Sequence, residues 1–355
     1  MKIRKIITVI LLLIPIVNFA QSGGRGVYKF LELTNSSRVA SLGGTNVSLI
    51  DDDLNFAFHN PALLSRAASN HFILNYIGYF ADIKYGYVGY AFDFQKFGTF
   101  SFGIHSVDYG DFKAADEIGN ITGDFTAKEY AFNLIWSKQI TDKFTFGINL
   151  KPVLSQLETY KSYGIASDWG LSYNDSEKNF SAGLVLKNIG TQLKAYHDDN
   201  KEPLPFDVQF GVTKKLAHAP FRVNLTAHHL YKWDLLYNIP ETSNTSLFDT
   251  QNTDKGNKLQ DILDNSLRHL IFGIEFTPFK SFYANIAYNH KMRKEMSIEG
   301  KGGFVGFSWG LGLKLKKFSI GYGRASYHIS GGSNHFSLGI NLSEFKKKTK
   351  LENLN

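Results

Sequence analysis

The chain has 355 residues, a formal charge of +7, no cysteine, and 30 phenylalanines beside 18 tyrosines. No disulfide framework can hold it, and so modest a charge at this length gives no reason to expect a nucleic-acid partner. Lipid-facing aromatics averaged against polar interior and loop residues would give this composition, and so would an aromatic-rich soluble β-protein. The first element is an export signal over residues 1–20. Lys2, Arg4 and Lys5 precede an apolar run from Ile6 to Val17, and Asn18-Phe19-Ala20 ends it before Gln21. The run is too short to cross a membrane as a helix and suits a cleaved signal peptide.

Residues 21–70 lack alternation and carry turn and cap signals: Gly43-Gly44, the acidic Asp51–Asp53, then Asn60-Pro61. Thr34–Leu42 is expected as a short helix with a hydroxyl cap and Arg38 near its middle. Beside a barrel, such a segment either hangs in the periplasm or folds into the lumen. A fourteen-strand ring is wide enough to need filling, so a plug is expected.

Residues 71–345 alternate apolar and small or polar side chains in segment after segment, most plainly in Val305, Phe307, Trp309, Leu311, Leu313 and Leu315. Successive strand residues point to opposite faces, so one face is wholly apolar and the other small or polar, which suits lipid outside and a wet or plugged lumen inside. Strands are expected at about 72–80, 83–93, 97–107, 126–138, 143–155, 163–173, 179–187, 206–215, 220–233, 268–277, 281–290, 304–315, 317–326 and 334–342. That is fourteen, an even number, and the fold class is an all-β transmembrane antiparallel β-barrel. The inward positions carry Thr, Ser, Asn and Gly with a few charges: Glu129, Lys151, Asp207, Arg222, Glu275 and Lys314.

Connections sort by parity. Even-numbered hairpins turn in a few residues, whereas most odd-numbered ones are long (108–125, 188–205, 234–267, 291–303, 327–333), the asymmetry of outer-membrane barrels with the short side periplasmic. The hairpin at Ala81-Asp82 departs from it. The largest loop places Leu259, Ile262, Leu263 and Leu267 on one helical face, either a partner contact or a lid folded on the rim. Tyr231, Trp233 and Tyr237 at its base read as interfacial aromatics. Pro152 interrupts a strand and marks either a bulge, the preferred reading, or a lateral gap. Residues 346–355, behind Phe345, form a basic periplasmic tail.

Enzyme signatures fail on inspection. Asp51, Asp53 and Asn55 begin a calcium-loop pattern, but Phe56 stands where glycine must make the turn and Ala62 where a bidentate Glu is needed, so the acidic run reads as a solvated turn or helix cap. Ser343–Lys346 spells Ser-x-x-Lys at the end of a strand, without its companion elements. His228 and His229 are adjacent and, on a strand, face opposite sides, which argues against a joint metal clamp. No catalytic residue, metal or cofactor is expected.

Residues 23–64 carry a resemblance. Gly23-Gly24, the run GVYKFLELTNSSRVASLGG at 26–44 and DDDLNFAFHNPALL at 51–64 resemble the opening of the PorQ family, outer-membrane components of the type IX secretion system. The wider setting is the FadL-like barrels, whose N-terminal segment carries Asn-Pro-Ala, here Asn60, Pro61 and Ala62. The match runs through Tyr28, Phe30, Leu31, Leu33, Ser36, Arg38, Ala40 and Leu42–Gly44, with Ser37 where the family has alanine. The resemblance implies a fourteen-strand barrel in the outer membrane of a Gram-negative bacterium, surrounded by lipid and lipopolysaccharide. It implies a structural role in a cell-surface attachment complex, with a PorZ-like surface protein and other complex members as partners. The FadL-like setting implies the alternative, a transporter of fatty acids or other hydrophobic small molecules.

Overall fold

The computed structural model describes residues 26–79, 83–197, 200–236, 258–296, 303–328 and 331–345; the signal at 1–20 and the tail at 346–355 lie outside them. Fourteen strands follow in chain order: β1 (His71–Gly78), β2 (Lys84–Asp93), β3 (Thr99–Ala115), β4 (Ile121–Gln139), β5 (Phe144–Leu157), β6 (Tyr160–Asp175), β7 (Phe180–Lys194), β8 (Asp207–Lys215), β9 (Phe221–Ala227), β10 (Leu270–Phe279), β11 (Phe282–Asn289), β12 (Phe307–Lys314), β13 (Phe318–His328) and β14 (Gly331–Asn341). Each pairs antiparallel with its chain neighbours, and β1 pairs with β14 from His71↔Asn341 to Gly78↔Asn334, closing the ring. Closure leaves no edge strand, so backbone N–H and C=O groups are satisfied within the wall, as a bilayer demands. Leu134, Phe210, Phe272, Ile274, Trp309, Leu311 and Phe336 stand on the outer face, exposed, while Glu129, Lys151, Asp207 and Glu275 on the alternate positions are buried inside. Among the described residues no helix is long and apolar enough to cross a membrane.

Several boundaries differ from the sequence expectation. The stretch 108–125 is mostly strand: beyond a register shift at Asp108/Asp111, Phe112 pairs with Phe125 and Lys113 with Asp124, and only 116–120 turn. A ladder standing above the bilayer needs no apolar face, so alternation does not announce it. β5 and β6 likewise continue to a tight turn after Leu157, and β7 runs to Lys194. Conversely, β9 stops at Ala227, and β12 begins only at Phe307 because Gly306 adopts φ +84°, folding Val305 into a buried turn. Pro152 produces no bulge. Ala131↔Val153 and Leu134↔Leu150 keep one register, and the two pairs between them drop out because proline brings no N–H. The nearby shift lies instead between β6 and β7, at Ser167/Trp169.

Residues 26–70 lie within the ring. They form one short helix, α1 (Ser37–Ser41), and four 3-10 turns: Lys29–Glu32, Leu54–Phe58, Pro61–Leu63 and Arg66–Ala68. α1 is shorter than the expected Thr34–Leu42, and its capping residue Ser36 makes no side-chain cap bond. Val39, Leu42, Leu49, Phe56 and Leu63 give the segment a small core of its own. Tyr28, Phe30 and Leu31 join wall residues Ile77, Tyr85, Val107 and Val153 in a second cluster. Leu54, Phe58 and Leu64 join Ile73, Tyr87 and Ile135 in a third. The odd connections mark the extracellular rim by the rule of long loops outside. Gly26 and Val27 bond there, to Glu202 and Pro203, while Asp52 meets His71 at the opposite, periplasmic end.

Candidate functional site in the lumen

Arg38 sits near the start of α1, only 2 % exposed, with every guanidinium nitrogen on a carboxylate. Its Nε donates to Glu275 Oε2 on β10 at 2.9 Å, Nη2 to Glu275 Oε1 at 3.1 Å and to Asp51 Oδ2 at 2.8 Å, and Nη1 to Asp53 Oδ2 at 3.3 Å. The guanidinium also lies over the Tyr283 and Phe56 rings, 4.6 and 5.2 Å from their centroids. Arg222 Nη1 reaches Glu275 Oε1 at 2.8 Å, and Lys314 Nζ reaches Asp51 Oδ1 at 2.5 Å and Asp52 Oδ1 at 2.7 Å. Burial opposes the charge on Arg38, yet Glu275, Asp51 and Asp53 reverse that and hold it protonated well above its usual range. Burial likewise opposes ionised Asp51, and Arg38 with Lys314 more than compensate, keeping it well below the usual carboxylate range. The acidic run is therefore not the solvated turn read from sequence. Asp53 does cap the following turn, accepting from Asn55 N at 3.1 Å, but Asp51 and Asp53 chiefly serve the buried Arg38.

Asn60, Pro61 and Ala62 form the second anchor. Asn60 Oδ1 accepts from Ala62 N at 3.0 Å and Nδ2 donates to Val47 O at 2.8 Å and to the wall carbonyl of Leu171 at 3.5 Å. Pro61 opens a 3-10 turn, where its missing N–H costs nothing. The wall meets this motif with glycines: a Cβ on Gly170 would lie 2.0 Å from Asn60 Oδ1, and one on Gly183 1.8 Å from Val47 O. Gly43 and Gly44, at φ +95° and +99°, close α1 by donating to the carbonyls of Ala40 and Val39 at 3.1 Å each, and Gly43 abuts Ile271. Gly170 and Gly183 went unremarked in sequence reading, although inward glycines in consecutive strands are a signal that something packs against the wall.

Above the segment, at the extracellular end, lies a cavity of about 240 Å³ lined by Leu31–Thr34, Gly43–Thr45 and the ends of β8, β9 and β11. Asp207, His228 and His229 face it. Sequence reading set the two histidines on opposite faces of a strand. The structure corrects this: β9 ends at Ala227 and His229 takes φ +56°, so the rings converge, with Nδ1 atoms 2.5 Å apart and centroids at 4.6 Å. Burial, then His229 and Lys291, holds His228 well below the usual range, and burial with Lys291 brings His229 down to about 3.

On the rim, α2 (Lys258–Arg268) packs through its polar side. Asn265 bonds to Leu235 N and Trp233 O, and Asp264 Oδ1 accepts from His290 Nε2 at 2.8 Å and Oδ2 from Arg268 Nε at 2.8 Å. His290 opens the last helix, α3 (His290–Met296), whose Lys294 lies 3.2 Å from Asp264. Burial opposes the Asp264 charge, but those three donors bring its carboxyl down to about 2. Ile262, Leu263 and Leu267 are 54, 55 and 39 % exposed, so among the described side chains this face is not folded onto the rim as a lid. The side chain of Leu259 and all of Tyr237 lie outside the described residues, while Tyr231 and Trp233 are exposed.

No protein-family model matches the chain, and no curated protein does. Solved structures do. The deltaS2 mutant of the TodX monoaromatic hydrocarbon channel superposes with a TM-score of 0.51 at 13 % identity, covering 87 % of this chain and 97 % of that one. The toluene transporter TbuX of Ralstonia pickettii follows at 0.49, with 13 % identity and coverage of 87 and 97 %. A FadL homologue from Pseudomonas aeruginosa gives 0.45 at 10 % identity over 86 and 97 %. At these identities the likeness is one of fold: the chain is a multi-pass outer-membrane β-barrel of fourteen antiparallel strands.

Proposed function

We propose that this barrel is a non-catalytic outer-membrane component of the type IX secretion system, of the PorQ kind, anchoring a surface partner of the cargo-attachment complex. The observation that carries the reading is the clamped lumen: Arg38 joins the inner segment to β10 through Glu275, with both side chains essentially inaccessible. A buried, hydrogen-bonded pair of this sort is strongly destabilised when broken, so the segment is built to stay and the barrel to act as a rigid foothold. The matched residues between 26 and 64 support the same reading, and the outward apolar side of α2 offers a contact surface on the extracellular rim.

The second reading is uptake of hydrophobic small molecules. The cavity at the extracellular end favours it, and the names of the similar structures, a toluene transporter and a monoaromatic hydrocarbon channel, speak for it more directly than for secretion. Deleting the gene in its native host separates the two. Cargo with type IX export signals trapped in the periplasm or shed into the medium, with hydrocarbon uptake unchanged, supports the anchor. Normal surface attachment with reduced fatty-acid or aromatic uptake replaces it with the transporter.

A further inference from the structure

From the convergence of donor atoms at the cavity wall, we infer that Asp207, His228 and His229 form a binding site for a divalent transition metal ion of the zinc class. The inference depends on neither functional reading. One ligating atom from each residue lies within 4.8 Å of the others. The two Nδ1 atoms face one another at 2.5 Å, and Asp207 Oδ2 lies 3.9 Å from His229 Nδ1. Two imidazoles and a carboxylate are a donor set that suits Zn²⁺, with the remaining position open, here to the cavity. Tetrahedral coordination at about 2.0–2.1 Å requires the nitrogens to part by roughly 0.8 Å. The His229 ring borders the cavity and has room for that movement.

The surroundings are arranged as an outer shell. Asp207 Oδ1 accepts from His229 N at 2.7 Å and Oδ2 from Gln209 Nε2 at 2.7 Å, which fixes the carboxylate. His269 Nδ1 lies 2.8 Å from His228 O, and His228 N donates to His269 O at 2.9 Å, pinning the backbone that carries the ring. Such partners orient ligands and sustain affinity. His228 Nε2 is buried without a hydrogen-bond partner, so its ring is held only from the Nδ1 side.

Lys291 gives the site a gate. Its Nζ lies 3.1 Å from His229 Nε2, and an ammonium can only donate there. That bond requires the His229 proton on Nδ1, whereas a metal on Nδ1 requires it on Nε2. The two states exclude each other. Glu295, one helical turn further along α3 and also at the cavity, is the acceptor to which Lys291 turns when the metal binds.

The test is calorimetric titration of the purified, chelator-treated full-length barrel in detergent with ZnCl2, with MgCl2 and CaCl2 as controls. The expected result is one Zn²⁺ per chain with a dissociation constant on the order of 10 μM or tighter, and no response to the hard cations. His229→Asn and His228→Ala should each weaken binding by more than ~10-fold, and Lys291→Met should tighten it. Retained heat-modifiable gel mobility identifies the variants that still form the barrel, and Lys291→Met, which removes no ligand, keeps the test decisive if a histidine variant fails to fold. Absence of stoichiometric Zn²⁺ uptake overturns the proposal. So does an affinity unchanged in a folded histidine variant, or one weakened by Lys291→Met.

Discussion

The two ends of the lumen solve the same problem in opposite ways. At the periplasmic end charge is buried and answered: Arg38, Arg222 and Lys314 interleave with Asp51, Asp52, Asp53 and Glu275. At the extracellular end two imidazoles kept neutral by burial, His228 and His229, face a cavity beside Asp207 and Lys291. The first arrangement is stiff because breaking its buried pair, Arg38 with Glu275, leaves charge uncompensated in low dielectric. The second borders open space and leaves His228 Nε2 without a partner, so its groups have room to rearrange around a ligand. A plugged barrel can therefore be fixed at one end and receptive at the other.

The largest effect expected from breaking this contrast is at the fixed end. Arg38→Ala takes the salt bridge from Asp53 and leaves Glu275 with Arg222 alone and Asp51 with Lys314 and the more distant Arg222. It should cost about 3–5 kcal/mol, read as a lower midpoint for loss of heat-modifiable mobility in detergent. Gly183→Val drives a side chain into Val47 O; overpacking of this kind costs about 1–3 kcal/mol and should expose residues 26–70 to added protease while the wall survives. Asn60→Ala removes a cap bond and a bond to Val47 O, for about 1–2 kcal/mol, read by the same unfolding midpoint.

Acid sharpens the comparison further. The Asp264 carboxyl, brought down to about 2, contributes to seating α2 at pH values above its unfolded value of about 3.9, and the contribution disappears as pH falls towards 2. Protection factors of the α2 amides, with exchange corrected for its intrinsic pH dependence, should therefore be constant from pH 7 to 5 and fall only below about 4. Smallest of all, Ile262→Ser with Leu263→Ser should move stability by no more than about 0.5 kcal/mol each. On the anchor reading the pair abolishes capture of the surface partner by pull-down, and intact capture would remove α2 from the contact.

Strand number, order and facing were legible because lipid imposes a strict period of two on every segment it touches. Where lipid stops, so does the signal: the upper β3–β4 ladder carries Asp111 and Lys113 and reads as loop. The inner segment was legible as something other than strand, but its path was not, since it is held by single long-range contacts such as Arg38 to Glu275. No periodicity announces a contact between residues so far apart in the chain. The histidine pair was misplaced for a local reason. A left-handed φ at a non-glycine residue is seldom visible in sequence, and at His229 it turns two opposed side chains into neighbours.

The inward glycines of the wall have a consequence for assembly. Gly170 and Gly183 contribute no side chain to the lumen, and their places are filled by Asn60 and Val47 of the inner segment. A ring closed without that segment would enclose a void lined by inward polar and charged groups, with Glu275 left only Arg222 of its two arginines. The segment also braces the seam between β1 and β14, where Ser37 N donates to Ser337 Oγ and Leu54 and Phe58 cluster with Ile73. Closed wall and filled lumen therefore support one another, with residues 26–70 lying inside the rolled sheet as a mandrel would.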